Sequence, residues 1–282
     1  MKIYIVIPAH NEETTLGQTL LSLTNQSKLP DKLVVVNDNS TDKTASIIDD
    51  FESRFPWISG IHIKSTNEHV PGGKVINAFY SGLETLDSDY DIICKFDADL
   101  IFPENYLETI SNMFQKDAKV GIAGGLPYIE KDGEWRFEMI ASKDHVRGPL
   151  KAYRKECFHD IGGLKRSIGW DSVDVLLAQY YGWTIKTDHT LSVKHLKPTG
   201  ANYDQKSKFL QGEALYKMRF GLLLCIIASL KGAINRKSIA FFRNSVQGYL
   251  KAKNSKVDYL VNEDQGQFIR KLRWRNIRKK LF

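Results

Sequence analysis

Short apolar runs rich in Val and Ile alternate with amphipathic helical patterns in the first part of the chain, and this alternation restricts the fold more than any other feature. Residues 2–7 and 32–37 are such runs, each followed by polar residues, which predicts two buried strands. Between them, within residues 12–25, Leu16, Leu20 and Leu23 repeat with the spacing of one helical face. Strands that alternate with helices form βαβ units around a parallel sheet. The sequence therefore predicts an α/β fold, a mostly parallel sheet flanked by helices.

The same alternation continues into the middle of the chain. Further strands are predicted at residues 61–63, 91–96, 120–126 and 151–154, and helices at residues 43–54, 75–86 and 171–181. Residues 134–140 fit either a strand or a helix. Thr41 or Asp42 can cap the helix that follows the second strand.

Polar clusters follow three of the predicted strands, at residues 8–13, 38–42 and 97–99. Ligands of open α/β sheets bind at the carboxyl ends of the strands. We therefore expect the three clusters to converge on one edge of the sheet and to form an enzyme site.

Asp97 and Asp99 are separated by one residue directly behind the apolar run 92–96. Mg²⁺ and Mn²⁺ are usually held by one or two carboxylates together with substrate phosphates. An isolated Asp-x-Asp is more often a solvated turn. Here the buried strand before it and the two other clusters favour a Mn²⁺ or Mg²⁺ site, which would neutralise a nucleotide diphosphate as it leaves.

Asp38 lies directly behind the second strand, in the run Val36-Asn-Asp-Asn-Ser-Thr-Asp-Lys-Thr44. A carboxylate at a strand end can accept hydrogen bonds from ribose hydroxyls or a base N–H. Turn formation and helix capping explain Ser40 to Asp42, at least in part, but do not require Asp38.

These residues resemble the successive signatures of glycosyltransferase family 2. The resemblance rests on Pro8-Ala-His-Asn-Glu-Glu13, on the run from Val36 to Thr44 and on Phe96-Asp-Ala-Asp99, and it covers about residues 1–200. It implies a GT-A fold and an inverting, metal-dependent enzyme that uses a nucleotide-diphosphate sugar.

The resemblance also implies roles for individual residues. Asp99 and Asp97 would hold the metal and the diphosphate, and His195 would complete the metal shell, although a lone histidine at a strand end is as often structural. The residues implied to line the nucleotide pocket are Pro8, Ala9, Asn11, Glu12, Asp38, Lys74 and Asp97. Lys194, Lys197, Arg147 and Arg154 are weaker candidates for phosphate or acceptor contacts, because a solvated surface position explains each of them better.

The general base of an inverting transfer would come from the segment Gly169-Trp-Asp-Ser-Val-Asp174. The adjacent Glu-Asp pair of the family is absent here, and Asp171 and Asp174 remain. Asp171 is preferred because Trp170 can provide an apolar wall, and Asp174 is the alternative. Capping of the following helix explains either residue without catalysis.

The positive charge of the chain is concentrated in its last part. Residues 205–282 hold 18 Lys and Arg against 4 Asp and Glu, a net charge of +14, whereas residues 1–204 carry −7. We therefore predict a catalytic domain at 1–204 and a helical, basic region at 205–282. Ile269, Leu272, Ile277 and Leu281 lie among cations in the tail, a pattern typical of segments that bind an anionic membrane surface. No recognisable nucleic-acid-binding module is present.

The sequence predicts neither a signal peptide nor a bilayer-spanning segment. Its three widely spaced cysteines suit a reducing compartment. We expect a cytoplasmic enzyme, peripheral on the inner face of the cell membrane, that transfers a hexosyl or N-acetylhexosaminyl group from a UDP- or GDP-sugar to a saccharide or lipid-linked acceptor. The product would be a cell-surface polysaccharide or a glycolipid.

Two other functions fit parts of the sequence. A degenerate subunit that only binds nucleotide sugar is compatible with the missing Glu-Asp pair. A sugar-phosphate nucleotidyltransferase would share the sheet and the metal chemistry, but it requires a Gly-rich basic loop after the first strand, which residues 8–13 do not provide.

Overall fold

The computed structural model describes residues 1–64, 72–140, 142–197 and 208–281. The chain forms two compact units. The sheet unit comprises Met1–Glu68, Lys74–Leu164 and Tyr181–Ala201, and the helical unit comprises His69–Gly73, Lys165–Tyr180 and Asn202–Phe282. The predicted domain boundary at residue 204 lies outside the described residues.

The described residues of the sheet unit form nine strands in one sheet. They are β1 Ile3–Ala9, β2 Lys32–Asp38, β3 Ile58–Ile63, β4 Ile92–Phe96, β5 Leu100–Ile101, β6 Val120–Lys131, β7 Glu134–Phe137, β8 Leu150–Arg154 and β9 Thr184–His195. The strand order is β3-β2-β1-β4-β8-β6-β9-β5, and β7 pairs with β6.

The first half of this sheet is parallel, as the alternation predicts. β1 pairs in parallel with both β2 and β4, and β2 pairs in parallel with β3. In the second half, β8 is antiparallel to β4 and β6, and only β6 and β9 run in parallel among the long strands. The sheet is therefore mixed, and the three strands that precede the polar clusters, β1, β2 and β4, lie side by side in its parallel first half.

Residues 134–140, which fitted a strand or a helix, begin with β7. A two-residue turn joins β6 to β7, and both of its residues, Asp132 and Gly133, have positive φ angles of 54° and 78°. This conformation is typical of tight hairpins and favours Asp-Gly.

Five helices belong to this part of the chain: α1 Leu16–Thr24, α2 Thr44–Arg54, α3 Gly73–Leu83, α4 Tyr106–Lys116 and α5 Lys155–Asp160. α1 starts later than predicted, because residues 12–15 form a turn in which the Glu12 carbonyl accepts from Thr15 and Leu16. The N-cap of α2 is Lys43, without a side-chain cap hydrogen bond, so the cap predicted at Thr41 or Asp42 is wrong in position. The Asp42 carboxylate still accepts from the backbone N–H of Thr44, the first residue of α2.

The central strands are buried on both faces, as expected for a sheet covered by helices. Their apolar side chains form the core of the unit, and a few charged residues are buried with them: Asp38 of β2, Lys95 of β4 and Lys151 of the neighbouring strand β8. Lys95 of β4 is only 1% exposed, and its ammonium group pairs with the carboxylate of Asp97. A buried charge of this kind is costly unless it is paired. The Lys95 ammonium group therefore lies beside Asp97, the first residue of the third polar cluster.

The helical unit contains α6 Trp170–Tyr180, α7 Leu210–Lys217, α8 Leu222–Arg236, α9 Ile239–Asn254 and α10 Glu263–Leu281. α7 and α9 pack closely at two glycines. A Cβ atom added at Gly212 would lie 1.8 Å from the carbonyl oxygen of Ser245, and one at Gly248 would lie 2.1 Å from that of Phe209. These two positions therefore exclude side chains.

Two of the four apolar residues named in the basic tail are buried, Ile277 is partly exposed, and the side chain of Leu281 lies outside what the structure describes. Ile269 and Leu272 of α10 are 1% and 7% exposed, so they belong to the protein interior. Among the described residues, no helix has both the length and the apolarity that crossing a bilayer requires.

Candidate active site

The turn Asp97–Asp99 follows β4 and is fixed by hydrogen bonds from three directions. The hydroxyl of Thr19, in α1, donates to the Ala98 carbonyl (2.9 Å) and accepts from the Leu100 N–H (3.0 Å). The Asp97 N–H donates to the carbonyl of Pro149 (2.9 Å), and the Asp99 carbonyl accepts from the N–H of Leu196 (2.9 Å). Both aspartates therefore occupy positions set by buried backbone contacts.

The Asp99 carboxylate is buried, with 9% of the residue exposed. Its Oδ2 lies 3.4 Å from Nε2 of His195. Within the described part of the chain, no hydrogen-bond donor reaches its Oδ1. Because a buried carboxylate oxygen without a partner is costly, this atom is suited to bind a ligand.

His195 ends β9 and joins Asp99 to a second buried carboxylate. Its Nδ1 lies 3.3 Å from Oε2 of Glu138, which is also 3.3 Å from Nη1 of Arg147. Burial lowers the pKa of His195, but the bonds to Asp99 and Glu138 outweigh it and raise the pKa to about 9. Without a metal, the imidazole is therefore protonated at neutral pH and donates to both carboxylates.

Asp97 is more exposed, with 32% of its side chain accessible, and pairs with Lys95. Among the described residues, no group of three or more His, Cys, Asp or Glu side chains is arranged to hold a metal ion. The donor set nevertheless fits Mn²⁺ or Mg²⁺, because such ions commonly take one or two carboxylates and complete their shell with substrate phosphates and water. The unpartnered Oδ1 of Asp99 is the atom that best meets this requirement.

The end of β2 supplies a second unpartnered carboxylate oxygen. Asp38 is 7% exposed, and its Oδ1 has no hydrogen-bond partner among the described residues. Its carbonyl accepts from Nδ1 of His10 (2.6 Å), which ties the end of β2 to the loop after β1. The Asp38 Oδ1 atom can therefore accept a hydrogen bond from a ribose hydroxyl or a base N–H, as the sequence predicts for this residue.

The loop after β1 is built around Asn11 and Glu12. Asn11 has a left-handed backbone (φ 54°), and its side-chain oxygen accepts from the N–H of Thr41, so it connects two loops. The Glu12 carboxylate accepts from Thr15 (2.5 Å) and from Lys197 (2.6 Å). Lys197 is therefore paired beside the site and is not simply a solvated surface cation.

These elements surround a cavity of about 410 Å³ in the sheet unit. Its lining includes six of the residues predicted for the nucleotide pocket, and Asp99 of the metal site. The lining residues are Pro8, Ala9, His10, Glu12, Asp38, Asn39, Lys74, Val75, Ala78, Asp97, Ala98 and Asp99. The three polar clusters do converge, as their positions after β1, β2 and β4 predicted.

The two candidates for the base belong to the helical unit. Asp171 lies in the first turn of α6 and is partly exposed. Asp174 is 1% exposed, and its Oδ1 accepts from the N–H of Val175 (2.6 Å).

Two of the weaker candidates have structural contacts instead. The Arg154 guanidinium donates to the carbonyls of Phe114, Asp117 and Val120, so it closes the end of α4 against β6. Lys194 lies over the ring of Trp135 at 5.2 Å.

Sequence reasoning missed Glu138 and Thr19, which support the site from elements distant in the chain. Glu138 contacts a histidine 57 residues away, and Thr19 contacts a turn 79 residues away. Glu138 lies inside the segment 134–140 that fitted either a strand or a helix, and nothing in its local sequence marked it as part of a site.

The family model described as "Glycosyl transferase family 2" matches residues 4–166. A protein named "Probable glycosyltransferase YdaM", from Bacillus subtilis (strain 168), is 35% identical over 209 residues, which are 66% of this chain and 46% of that protein. The chain spans less than half the length of the curated relatives it matches first.

Two solved structures share the fold. S. aureus TarS 1–349 in complex with UDP-GlcNAc superposes with a TM-score of 0.60 at 17% identity, covering 80% of this chain and 67% of that one. The mannosyltransferase PcManGT from Pyrobaculum calidifontis, in complex with GDP-Man and Mn²⁺, gives a TM-score of 0.56 at 13% identity, covering 95% and 78%.

Proposed function

The chain belongs to glycosyltransferase family 2, and from this membership we propose that it transfers a sugar from a nucleotide-diphosphate donor to a hydroxyl acceptor, with inversion at the anomeric carbon. The family resemblance and the GT-A fold expected from the three motifs are both confirmed by the comparisons. The donor, the stereochemistry and the acceptor belong to the proposal.

One observation carries the proposal. Two buried carboxylate oxygens, on Asp38 and Asp99, have no hydrogen-bond partner in the part of the chain that the structure describes, and both residues line the same cavity of about 410 Å³. Asp38 is suited to bind the nucleoside, and Asp99 the cation-bound diphosphate. The complexes of TarS with UDP-GlcNAc and of PcManGT with GDP-Man and Mn²⁺ support a nucleotide-sugar donor and a divalent cation.

In the proposed mechanism, Asp99 and Asp97 would hold the cation, and His195 in its neutral form would be a further ligand. The cation supplies neutralisation of the charge that accumulates on the diphosphate as the glycosidic bond breaks. Lys74 adds a positive charge to the lining of the cavity.

Inversion requires a carboxylate that takes the proton from the acceptor hydroxyl during attack. We assign this role to Asp171, because it is partly exposed at the start of α6, whereas Asp174 is buried and bonded to its own helix. The acceptor would be a saccharide or a lipid-linked saccharide in cell-surface polysaccharide or glycolipid synthesis. The enzyme would then act as a peripheral protein on the cytoplasmic face of the membrane.

A donor panel tests the function. Hydrolysis of UDP-glucose, UDP-N-acetylglucosamine and GDP-mannose is measured with Mn²⁺, with Mg²⁺ and with EDTA. We expect turnover of one donor, loss of turnover in EDTA and loss in Asp99→Asn. No turnover of any donor, combined with normal nucleotide binding, would favour the subunit that only binds nucleotide sugar.

The base is tested separately with Asp171→Asn and Asp174→Asn. Asp171→Asn should lower kcat by about a hundredfold to ten-thousandfold while UDP affinity stays unchanged. A similar loss in Asp174→Asn alone would move the assignment to Asp174. Proton NMR of the first-formed product reports whether the anomeric centre inverts.

A further inference from the structure

Helix α8 carries a stripe of apolar side chains that face solvent. Leu223, Leu230 and Ile234 are 59%, 52% and 68% exposed, and Ile227 lies between them with partial exposure. Spacings of four, three and four residues place these side chains within about 60° around the helix axis and along about 16 Å of its length. We call these four residues the α8 stripe.

The opposite side of α8 is buried at Leu224, Cys225, Ser229 and Ala233. The stripe therefore belongs to a helix that is anchored in the protein. Ile239, the first residue of the next helix, α9, is also apolar and is 86% exposed. Contiguous exposed apolar surface on a protein generally marks an interaction site.

The surroundings of the stripe have a single sign of charge. Residues 222–254, which comprise α8 and α9, contain six basic residues and neither Asp nor Glu. All six basic side chains are exposed: Lys231, Arg236, Lys237, Arg243, Lys251 and Lys253. An apolar helix face with cations around it fits a bilayer interface, since the apolar side chains enter the headgroup boundary and the cations contact anionic lipids.

We propose that the α8 stripe, with the surrounding cations of α8 and α9, is the surface that binds an anionic membrane. A second copy of the chain fits less well, because a symmetric contact would bring the same cations together. The tail helix α10 fits less well too, since its Ile269 and Leu272 are buried. The inference deepens the proposed function, because it rests on the proposed membrane location and names the surface responsible for it.

Vesicle flotation of the full chain tests the surface. The lipids are phosphatidylcholine alone, or phosphatidylcholine with about one third phosphatidylglycerol. Wild type should bind only the anionic vesicles. The affinity of the triple variant Leu223→Gln, Leu230→Gln and Ile234→Gln for these vesicles should be at least about tenfold lower. Glutamine keeps the helix propensity, and circular dichroism checks that the helix content is unchanged.

A matched control changes exposed leucines of the sheet unit. Leu21 and Leu29 are 50% and 47% exposed, and Leu21→Gln with Leu29→Gln should bind vesicles as wild type does. Replacement of Lys271, Arg275 and Arg278 of α10 by Gln should change binding less than replacement of Lys231, Arg236 and Lys237.

Two results would overturn the inference. One is equal vesicle binding by wild type and the stripe variant, or no binding by wild type. The other is a lipid-free wild-type oligomer that becomes monomeric in the stripe variant, which would identify a second copy as the partner. Donor hydrolysis measured without vesicles separates this inference from the proposed function. If the chain hydrolyses no donor but binds vesicles through the α8 stripe, the membrane-binding surface is supported and the proposed activity is refuted.

Discussion

Replacement of Thr19 by Val tests whether the Asp97–Asp99 turn is held by α1. Valine keeps the shape of threonine but removes the hydroxyl, which donates to the Ala98 carbonyl and accepts from the Leu100 N–H. Thr19 is fully buried, so both backbone groups would lose their partner without gaining water. An unsatisfied buried group costs about 1–3 kcal/mol, and we expect the variant to lose about 2–4 kcal/mol of unfolding free energy.

The matched control is Thr24→Val in the same helix. Its hydroxyl is exposed and donates only to the carbonyl of Leu21 (2.9 Å), so its loss should cost less than about 0.5 kcal/mol. Urea denaturation gives both free energies. Hydrogen exchange of the Leu100 amide gives a local measurement, because this N–H loses its acceptor only in Thr19→Val.

The same substitution should weaken binding of UDP in the presence of Mn²⁺, because both aspartates belong to the turn that Thr19 holds. Isothermal titration measures this affinity. A Thr19→Val protein that is no less stable than Thr24→Val, with unchanged exchange at Leu100, would refute the reasoning.

Three further predictions concern single carboxylates. Asp38→Ala should weaken UDP binding about tenfold, measured by titration, with Asp49→Ala on α2 as an unchanged control. Glu138→Gln should weaken Mn²⁺ binding about tenfold to a hundredfold, because His195 loses the carboxylate that orients it. A metal titration followed by electron paramagnetic resonance measures the affinity. An unchanged affinity would show that His195 is not part of the metal site. Asp87 is paired with Lys32 and accepts from the Asp89 N–H and the Tyr4 hydroxyl, which hold its pKa well below the ordinary 3.8. The contribution of Asp87 to the unfolding free energy is therefore complete above about pH 3.8 and is lost as the pH falls toward the folded-state pKa. Asp87→Asn should therefore lose less unfolding free energy between neutral and acid pH than wild type does. Urea denaturation at several pH values measures this difference.

Local patterns predicted that the three polar clusters meet at one edge of the sheet, because the geometry of that edge depends on local rules. Each of β1, β2 and β4 is a short apolar run followed by a polar cluster, and parallel strands bring such clusters together. Asp38 and Asp99 were therefore identifiable from their position directly behind a buried strand.

The contacts that support this edge were not predictable in the same way. Glu138 and His195 meet only because β6, β7 and β9 are neighbours in the sheet, and no local periodicity encodes that pairing. The tail shows a related limit. Ile269 and Leu272 are spaced as on one helix face, and this pattern fits a protein interior as well as a membrane. Only the structure shows that they are buried.

The order of elements along the chain has a consequence for synthesis on the ribosome. α6 belongs to the helical unit, although it is encoded between β8 and β9 of the sheet unit. β9, which pairs with β6 and carries His195, therefore emerges only after a helix whose unit still lacks α7 to α10. The sheet unit is complete in sequence once residue 201 has been made, whereas α6 must wait for α7 to α10 before its own unit can form. A fragment that ends at residue 201 would therefore carry α6 without the other helices of its unit.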